Sequence, residues 1–466
     1  MNDSAIKELK RLLGEGNVRT GAKALAPYFQ KAGSGGDLVL VTPENVNGLA
    51  DVAHLCNENE IGLFSVKRRY HDGTLAGAKG VLVDLVKMDE IKKIDFQNLT
   101  AFVYGGVTFD KLQKELAKEN QRLLFPLAGT SPYVLRSYID RDVLMGEGGY
   151  RHPHLSVFHA MMASGEKWVS GSQQMTDEGH ADFREDQGPQ FSQFFGASED
   201  IYGIPYYGLV YTYPNREERR LAAFGFDELA GAKDLLYKVS RAEWCFESFA
   251  ANAAYLAVIL AGGKAGDVEK VKNDLPPWTA VFTMEHYRDL VDLWERYIND
   301  AAGELGGKPL SGRVPQMCGG ALGKPWNVYD RDFYRGRASA INCYQYFGNV
   351  GDTFSIMDEQ ASSAGLNPAD LGKIVVPVYF GASAYCEADI YFDPEDDKAA
   401  ASAEAAYLDS YEALLDARAF VDRPVGKVAG MLYSRTDPSY VNMLKLFKRT
   451  VDPKGILNPG QLLEGV

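Results

Sequence analysis

Short apolar runs alternate with amphipathic stretches through the first half of the chain. "DLVLVTPEN" (37–45) predicts a strand and a turn, and "VNGLADVAHLCNENE" (46–60) has helical periodicity. "LTAFVYGGVT" (99–108) predicts a strand that ends in glycines, and an amphipathic helix follows from Phe109. This order predicts an α+β arrangement of short strands rather than the regular βαβ repeat of a Rossmann sheet. No GxGxxG turn follows a strand, so a dinucleotide fingerprint of that kind is not expected.

The pattern changes after about Asn215. "REERRLAAFGF" (216–226) predicts a strand, and "RAEWCFESFAANAAYLAVILAG" (241–262) predicts a long helix. Strand-like segments follow further on, at "KIVVPVYFG" (373–381) and "CEADIYFDP" (386–394). Helices that cover a sheet would make a second domain here.

The last of these strands carries polar groups with a period of two. Tyr385, Glu387 and Asp389 share one face, and Cys386, Ala388 and Ile390 share the other. The polar face is suited to lining a pocket, and a solvated sheet face is the alternative interpretation.

The overall charge argues against some classes of binding partner. The 466 residues carry a net charge of −14, which argues against nucleic acid or an anionic membrane as the main partner. No apolar run reaches the roughly eighteen residues of a membrane span. The start of the chain, "MNDSAIKELKRLLGEG", predicts an amphipathic helix rather than a signal peptide.

The five cysteines are scattered and form no CxxC pair, so zinc and iron–sulfur sites are not expected. An odd, unclustered set favours a reducing compartment, most simply the cytoplasm. His152 and His154 form a His-x-His pair without an obvious third ligand, and we expect no metal site there.

A basic turn stands out against the acidic whole. "SVKRRYHDGTLAG" (65–77) places three cations directly before a tyrosine, a histidine and an aspartate. Guanidinium groups bind phosphate in a bidentate manner, so the turn is a candidate anion site. A solvated strand end is the alternative interpretation of the three cations.

Several motifs occur in an order that indicates a family. The ending "LKLFKRTVDPKGILNPGQL" (444–462) has a helix followed by a DPxGILNPG turn, and "AGTSPYVLRSYIDRDV" (128–143) is a loop with Ser-Pro and then Asp-Arg. Together with the strand–helix–strand opening at 41–64 and "YGIPYYGLVYTYP" (202–214), they resemble FAD-dependent oxidoreductases of the vanillyl-alcohol oxidase / p-cresol methylhydroxylase type. The p-cresol methylhydroxylase branch is the most similar. The resemblance covers roughly half the chain and does not extend to about 230–430.

The resemblance implies an α+β fold with a two-part FAD-binding domain and an inserted α+β cap domain, which selects the substrate. We expect an N-terminal helical segment at 1–35, the FAD-binding domain at 36–215, the cap at 216–430 and a returning C-terminal segment at 431–466. FAD is the implied cofactor, and it takes a hydride from the substrate.

The same resemblance implies which residues contact FAD. They lie in the basic turn, in the turn before the helix at Phe109, in the Ser-Pro loop and in the Gly-Ile pair that ends the domain. These residues are Arg68, Arg69, Tyr70, His71, Asp72, Gly73, Thr108, Gly129, Thr130, Ser131, Pro132, Gly203 and Ile204. Thr108 is also a candidate helix N-cap, and the two roles are compatible.

The basic turn departs from the family pattern. Two glycines that would let the backbone approach the FAD pyrophosphate are replaced by Arg69 and Tyr70. His71 lies where some family members join FAD covalently through histidine, so it is a candidate attachment point. A noncovalent contact or a plain loop role is the alternative.

Three residues are candidates for catalysis. The resemblance suggests His154 as a group near the flavin, with an ordinary packed or surface histidine as the alternative. Tyr433 and Arg435 lie just before the C-terminal motif, where an arginine would stabilise a carboxylate or phenolate and a tyrosine would share a proton. A salt bridge to Asp437 or another neighbour is the alternative for Arg435.

The leading hypothesis is an FAD-dependent dehydrogenase or oxidase of a small alcohol, para-substituted phenol or 2-hydroxy acid. Electrons would pass to oxygen, to an acceptor protein or to a cytochrome subunit, and an oligomer is expected. The alternative is a flavin-free, non-catalytic subunit of a redox assembly that keeps the fold. A third possibility is a redox-inactive module that binds an acidic small molecule or nucleotide.

Overall fold

The computed structural model describes residues 3–29, 36–66, 75, 77–127, 131–145, 155–175, 185–324 and 334–463. Its N-terminal half contains the elements α1 (Asp3–Leu13), β1 (Val18–Thr20), α2 (Ala22–Leu25), β2 (Asp37–Val41), α3 (Val46–Glu58), β3 (Leu63–Ser65), β4 (Lys79–Val83), β5 (Ile91–Asp95), β6 (Thr100–Tyr104), α4 (Phe109–Leu116), β7 (Gln121–Arg122), β8 (Phe125–Pro126), α5 (Val134–Ile139), β9 (Leu144–Met145), β10 (Leu155–Met161), β11 (Lys167–Val169), β12 (Ile204–Tyr211) and β13 (Tyr213–Pro214).

The remaining elements belong to the second half of the chain. It contains β14 (Glu218–Phe226), α6 (Leu229–Ala242), β15 (Glu247–Asn252), α7 (Ala253–Leu260), α8 (Ala265–Asn273), β16 (Trp278–His286), α9 (Arg288–Glu304), β17 (Lys308–Pro309), α10 (Arg313–Gly323), β18 (Arg337–Tyr346), α11 (Val350–Ser363), β19 (Gly372–Val378), β20 (Ser383–Phe392), α12 (Asp397–Asp416), α13 (Gly426–Ser434) and α14 (Pro438–Val451).

Two sheets build the N-terminal half. The first has the order β1-β2-β4-β3, in which β2, β4 and β3 are parallel and β1 is antiparallel to β2. The second is antiparallel, in the order β11-β10-β12-β6-β5. Helix α3 packs apolar residues such as Leu49 and Val52 against the first sheet, in a core that Met161 and Ile204 of the second sheet also enter.

One large antiparallel sheet dominates the second half. Its order is β17-β14-β16-β15-β19-β20-β18. One face of this sheet is covered by helices α6, α9, α11 and α12. Together they form the largest apolar cluster of the described residues. The other face meets α7, α8 and α10 together with Leu127 and Val143 from the N-terminal half. The second face is therefore where the two halves of the molecule meet.

The segment 241–262, predicted as one helix, is only partly helical. Residues Glu247–Asn252 form β15, which pairs with β16 on one side and β19 on the other, and α7 begins at Ala253. The strand β15 was not predicted because its alanine-rich sequence favours a helix. Pairing with a strand on each side instead places β15 in the interior of the sheet.

The C-terminal segment after α14 runs beside β3. Leu63 N–H donates to the Ile456 carbonyl at 2.7 Å, and Asn458 N–H donates to the Leu63 carbonyl at 2.9 Å. The chain thus returns to the first sheet after leaving the second half. Within the described part of the chain, no helix has the length and apolarity needed to cross a membrane.

Candidate active site

A buried ion network lies at the end of β3, directly before the basic turn. Ser65 Oγ donates to Asp200 Oδ2 at 2.5 Å. Arg136 of α5 donates to Asp200 through Nη1 and to Asp140 through Nε at 2.9 Å and Nη2 at 2.8 Å. Burial alone would lower the pKa of Arg136, but the two carboxylates outweigh it and raise that pKa. The network fixes the end of β3 beside the helix that follows the Ser-Pro loop.

The C-terminal motif completes this network. The Asn458 side chain accepts from Ser65 N–H at 3.1 Å and donates to Ser65 Oγ at 3.2 Å. Asn458 has a φ of 41°, a conformation that asparagine tolerates better than most residues. The asparagine of the LNPG motif therefore holds the strand that leads into the predicted phosphate-binding turn.

A second buried pair shapes the same motif. Lys448 Nζ donates to Asp452 Oδ2 at 2.5 Å and to the carbonyls of Ile201 and Leu457 at 2.8 and 2.9 Å. Asp452 in turn accepts from the N–H groups of Ile456 and Leu457. Burial lowers the pKa of Lys448, and Asp452 opposes that shift. The pair closes the turn after α14 and ties it to the residues before β12.

Two of the predicted FAD-contacting turns lie side by side. Thr108 is the N-cap of α4, where its side chain accepts from Lys111 N–H at 3.3 Å. The Pro132 carbonyl accepts from Phe109 N–H at 3.1 Å, and Ser131 is fully buried. The structure therefore brings Thr108, Ser131 and Pro132 together.

The glycines before Thr108 permit a close approach of two turns. A Cβ on Gly106 would lie 2.2 Å from the Leu85 carbonyl oxygen, which leaves no room for a side chain. The turn therefore packs directly on the segment that follows β4.

The Gly-Ile pair begins β12. Gly203 N–H donates to the Asp200 carbonyl at 3.3 Å, and a Cβ on Gly203 would lie 2.9 Å from Phe195 Cε1. Ile204 is buried and pairs with Met161 of β10. Gly203 and Ile204 are thus linked to the network at Ser65 through Asp200.

The remaining predicted cofactor residues lie outside the described residues and stay predictions, as does His154. They are Arg68, Arg69, Tyr70, His71, Asp72, Gly73, Gly129 and Thr130.

Arg435 lies at the surface, at the end of α13. Its Nη2 is 3.1 Å from Asp416 Oδ1 and 3.5 Å from Glu412 Oε1 on α12. Asp437 instead caps α14 through Ser439 N–H at 2.8 Å. The salt-bridge interpretation describes Arg435 in this structure, with α12 rather than Asp437 as the partner, and its catalytic role stays a prediction.

Tyr433 packs at the edge of the core that includes Tyr202 and Phe109. Burial raises the pKa of Tyr433 to about 12, so its hydroxyl stays protonated at neutral pH. Its catalytic role also stays a prediction.

The polar face of β20 is buried, so the interpretation as a solvated face is wrong. Tyr385, Glu387 and Asp389 are all at most 1% exposed. Tyr385 Oη donates to Glu387 Oε2 at 2.5 Å, and Tyr255 Oη lies 3.4 Å from Glu387 Oε1. The ring of Tyr344 on β18 packs 5.5 Å from that of Tyr385. Helix α7 and residues of the N-terminal half cover this face, which explains its burial.

Arg423 links this face, where its charge acts on Tyr385, to the N-terminal half. Its Nη1 donates to Asp142 Oδ1 at 2.5 Å, and Asp142 Oδ2 accepts from Ser137 Oγ at 2.8 Å. The side chains of Arg423 and Asp142 are 4% and 0% exposed. Burial would lower the pKa of Arg423, but Asp422 and Asp142 raise it, so the guanidinium is charged.

Arg423 and its neighbour retain unused hydrogen-bonding atoms. Nε and Nη2 of Arg423 and both carboxylate oxygens of Asp422 have no hydrogen-bond partner within the described residues. Arg423 Nε and Asp422 Oδ1 are 3.5 Å apart, which is an ion pair without a hydrogen bond. Buried groups left unsatisfied cost about 1–3 kcal/mol each, so such a set indicates a ligand site.

These atoms fit the ligands of a flavoenzyme. A guanidinium with unused N–H groups suits an anionic or carbonyl oxygen, as in a substrate phenolate or the pyrimidine ring of FAD. Sequence interpretation missed Asp422 and Arg423. The available signal was an adjacent acid and base in the otherwise apolar "AFVDRPV" (419–425).

Comparisons with known proteins agree with this architecture. Residues 38–141 match the family described as FAD binding domain. Over 180 residues the chain is 27% identical to the 4-cresol dehydrogenase [hydroxylating] flavoprotein subunit of Pseudomonas putida, covering 36% of this chain. The match spans 34% of that relative's length.

Solved structures match almost the whole chain. The structure of p-cresol methylhydroxylase with substrate bound has a TM-score of 0.83 at 18% identity and covers 98% of this chain and 96% of its own. The 4-ethylphenol oxidase of Gulosibacter chungangensis, in an isoeugenol complex, has the same score and coverage at 15% identity. Alkyldihydroxyacetonephosphate synthase scores 0.70 at 13% identity and covers 98% of this chain and 85% of its own.

Residues 38–141 are therefore an FAD-binding domain, and the chain as a whole has the α+β fold of p-cresol methylhydroxylase. The predictions of the fold class and of FAD as the cofactor are therefore confirmed, and the comparisons support the predicted resemblance to the vanillyl-alcohol oxidase / p-cresol methylhydroxylase type. Within the type, the similarity is to the p-cresol methylhydroxylase branch, as the ordered motifs predicted.

Proposed function

We propose that this protein is an FAD-dependent oxidoreductase that oxidises a para-substituted phenol. The observation that carries the proposal is the buried Arg423 guanidinium, whose Nε and Nη2 have no hydrogen-bond partner in the described residues. A phenolate oxygen supplies the charge and acceptor lone pairs that this group lacks. The names of two similar proteins, 4-cresol dehydrogenase and 4-ethylphenol oxidase, point to the same substrate class.

The chain's own residues would bind and orient the phenol. Arg423 holds the oxygen, and its bond to Asp142 fixes the guanidinium relative to the FAD-binding half. The rings of Tyr344 and Tyr385 provide an aromatic wall, and the bond to Glu387 fixes the Tyr385 hydroxyl. Burial of this face excludes water, which strengthens the interaction with Arg423.

The chemistry that FAD supplies when bound is acceptance of a hydride at N5 of its ring. The predicted FAD contacts would hold it: the basic turn at Arg68 to Gly73, Thr108, the loop from Gly129 to Pro132, and Gly203 with Ile204. The network of Ser65, Arg136 and Asp200 supports this assignment because it fixes the approaches to two of these segments.

The charges around Arg423 favour a phenol over a 2-hydroxy acid. The carboxylates of Asp142 and Asp422 are both buried beside the Arg423 guanidinium. A substrate carboxylate would face these acids and lose hydration, whereas a phenol brings one polar atom and an apolar ring.

A separate protein is the proposed electron acceptor. The relative from Pseudomonas putida is named as a flavoprotein subunit, which implies a further subunit in that protein. We extend this to an acceptor protein, such as a cytochrome subunit, for the present chain.

The proposal is tested on the purified chain. We expect bound FAD, and we expect turnover of 4-ethylphenol with an artificial electron acceptor but not of lactate. A colourless preparation that takes up no added FAD would instead support the flavin-free subunit. A preparation that holds FAD but turns over lactate and no phenol would contradict the substrate assignment.

A further inference from the structure

The N-terminal segment, which precedes the matched FAD-binding domain, packs against the base of the basic turn. Its residues Leu25 and Phe29 are buried in one apolar cluster with Phe64 of β3 and with Leu75, near the far end of that turn. Val66, near the start of the turn, lies at the edge of the same cluster. The N-terminal segment therefore shares a core with both ends of the turn that is the candidate anion site.

The same segment carries a tyrosine that binds a buried carboxylate. Tyr28 Oη donates to Asp84 Oδ2 at 2.7 Å, and Val86 N–H donates to Asp84 Oδ1 at 3.0 Å. The Tyr133 side chain also hydrogen-bonds the Asp84 carboxylate. Asp84 is 3% exposed, and burial raises the pKa of its carboxyl, whereas these hydrogen bonds and the charge of Arg19 oppose the rise. Three parts of the chain thus converge on one carboxylate.

Asp84 lies between two of the predicted FAD-contacting turns. Tyr133, which follows the Ser-Pro pair, forms an antiparallel bridge with Thr108. The turn that begins at Asp84 holds the glycines before Thr108, because the Met88 carbonyl accepts from Gly106 N–H at 2.9 Å. The carboxylate is therefore linked to the Ser-Pro loop through Tyr133 and to the Thr108 turn through its own turn.

We propose that Tyr28, Asp84 and Tyr133, here called the Asp84 triad, position the FAD-contacting turns, so that the N-terminal segment is part of the cofactor site. The triad fixes the spacing of the Ser-Pro loop and the Thr108 turn, and it fastens the segment that packs under the basic turn. Turns that are already held in place bind FAD at a lower cost in conformational entropy than turns that must be ordered on binding. The triad members are positioning residues, which act on FAD through these turns. This inference rests on the FAD contacts of the proposed function.

The test measures FAD affinity and the rate of FAD release in the full-length protein. The parent protein and every variant carry His71→Ala, which removes the candidate covalent attachment point. Release is followed by the rise in flavin fluorescence after dilution, and affinity by titration of the FAD-free protein with FAD. Chemical unfolding with and without FAD separates an effect on the cofactor from an effect on the fold, because a purely structural triad would stabilise both forms equally.

Tyr28→Phe keeps the ring and removes one donor to Asp84, so it should weaken FAD binding about three- to tenfold and release FAD faster. Tyr133→Phe should have a similar effect. Asp84→Asn should weaken FAD binding at least about tenfold, because an amide offers one acceptor oxygen instead of two to the same donors. If Asp84→Asn does not fold, the two tyrosine variants, which keep their rings, decide the question.

Tyr334→Phe is the matched control. Tyr334 Oη donates to Glu269 Oε1 at 2.9 Å, so the variant also removes a hydroxyl from a carboxylate, but in the second half of the chain. It should bind and release FAD as the parent protein does.

Two results would overturn the inference while leaving the proposed function intact. One is parental FAD affinity in both tyrosine variants. The other is an equal loss of stability with and without FAD, since the triad would then serve the fold alone. Failure of the proposed function is seen in the parent protein, before any variant is compared. A parent protein that binds no FAD would overturn both, whereas one that binds FAD but oxidises lactate and no phenol would contradict only the proposed substrate.

Discussion

At the scale of single residues, the site combines buried ionic groups that stabilise the fold with buried ionic groups that are available to bind a ligand. Arg136 is satisfied by Asp140 and Asp200, and Lys448 by Asp452 and two carbonyls. Asp422 and Arg423 are buried to a similar degree, yet each keeps atoms that have no hydrogen-bond partner among the described residues. Sites that carry out chemistry commonly keep such unfavourable groups at the expense of stability.

The first residue-scale prediction concerns stability and pH in the protein without substrate. Because burial raises the pKa of Asp422, its contribution to folding is present at acid pH and is lost as pH rises through the raised pKa. Asp422→Asn should therefore raise the free energy of unfolding at pH 8, by about 1–3 kcal/mol for a buried unsatisfied charge. The gain should vanish near pH 4, about where an unfolded aspartate titrates.

Urea unfolding of both proteins across this pH range measures the difference. A variant that is less stable than the wild type at pH 8 would contradict the prediction, since it would show that the ionised carboxylate stabilises the fold.

The second residue-scale prediction concerns His71 in the basic turn. If its imidazole joins FAD covalently, acid precipitation of the wild type leaves the yellow colour in the pellet. His71→Ala should then release the colour into the supernatant while the folded variant still binds FAD. His54→Ala, at an exposed position on α3, is the matched control. Release of all colour from the wild type would contradict the covalent bond.

At this scale, important residues within a sequence motif were easier to predict than an isolated pair of residues. Asn458 lies in a recognisable LNPG ending, and the structure shows that its side chain holds Ser65. Asp422 and Arg423 lie between α12 and α13 in a segment without regular structure, where no periodicity marks them. Their importance depends on burial and on Asp142, which lies 281 residues away from Arg423 in the chain.

At the scale of elements, the C-terminal segment is a clamp on β3. Its backbone pairs with Leu63, and Asn458 bonds Ser65 on the side from which the basic turn departs. Elements α3, α4 and β6 could be predicted from the sequence, because their apolar residues recur with the period of a helix or of a strand. The strand β15 could not be, because its pairing with β16 and β19 overrides an alanine-rich sequence.

The element-scale prediction tests the clamp. Asn458→Gly keeps the positive φ and removes the two side-chain bonds to Ser65, so it should lower the free energy of unfolding by about 1–3 kcal/mol. It should also speed the loss of any noncovalently bound FAD, because the predicted FAD contacts begin at Arg68, shortly after Ser65. Chemical unfolding and flavin release measure the two effects.

Asn120→Gly is the matched control, because Asn120 has a φ of 54° in the turn after α4 and loses only one exposed side-chain bond, the one accepted from Asn215 Nδ2. Equal stability of the two variants would show that the bonds of Asn458 contribute nothing beyond its backbone conformation.

At the scale of the whole molecule, the proposed site lies where the large antiparallel sheet of the second half meets the N-terminal half. Two buried ion pairs cross this junction, Arg423 with Asp142 and Arg122 with Glu285, the latter 2.7 Å apart. The ordered motifs allowed the overall fold type to be predicted. Which face of the large antiparallel sheet meets the N-terminal half follows only from the packing of Leu127 and Val143.

The central claim is most directly tested by flavin reduction without oxygen. Mixing the FAD-containing protein with 4-ethylphenol should bleach the visible flavin absorbance, and Arg423→Met should slow this at least about a hundredfold, equivalent to about 2.7 kcal/mol, while retaining FAD. Arg423→Lys, which keeps the charge but loses the fork of donors, should fall between them. A wild-type protein that holds FAD and is not bleached, or an Arg423→Met protein bleached at the wild-type rate, would contradict the account.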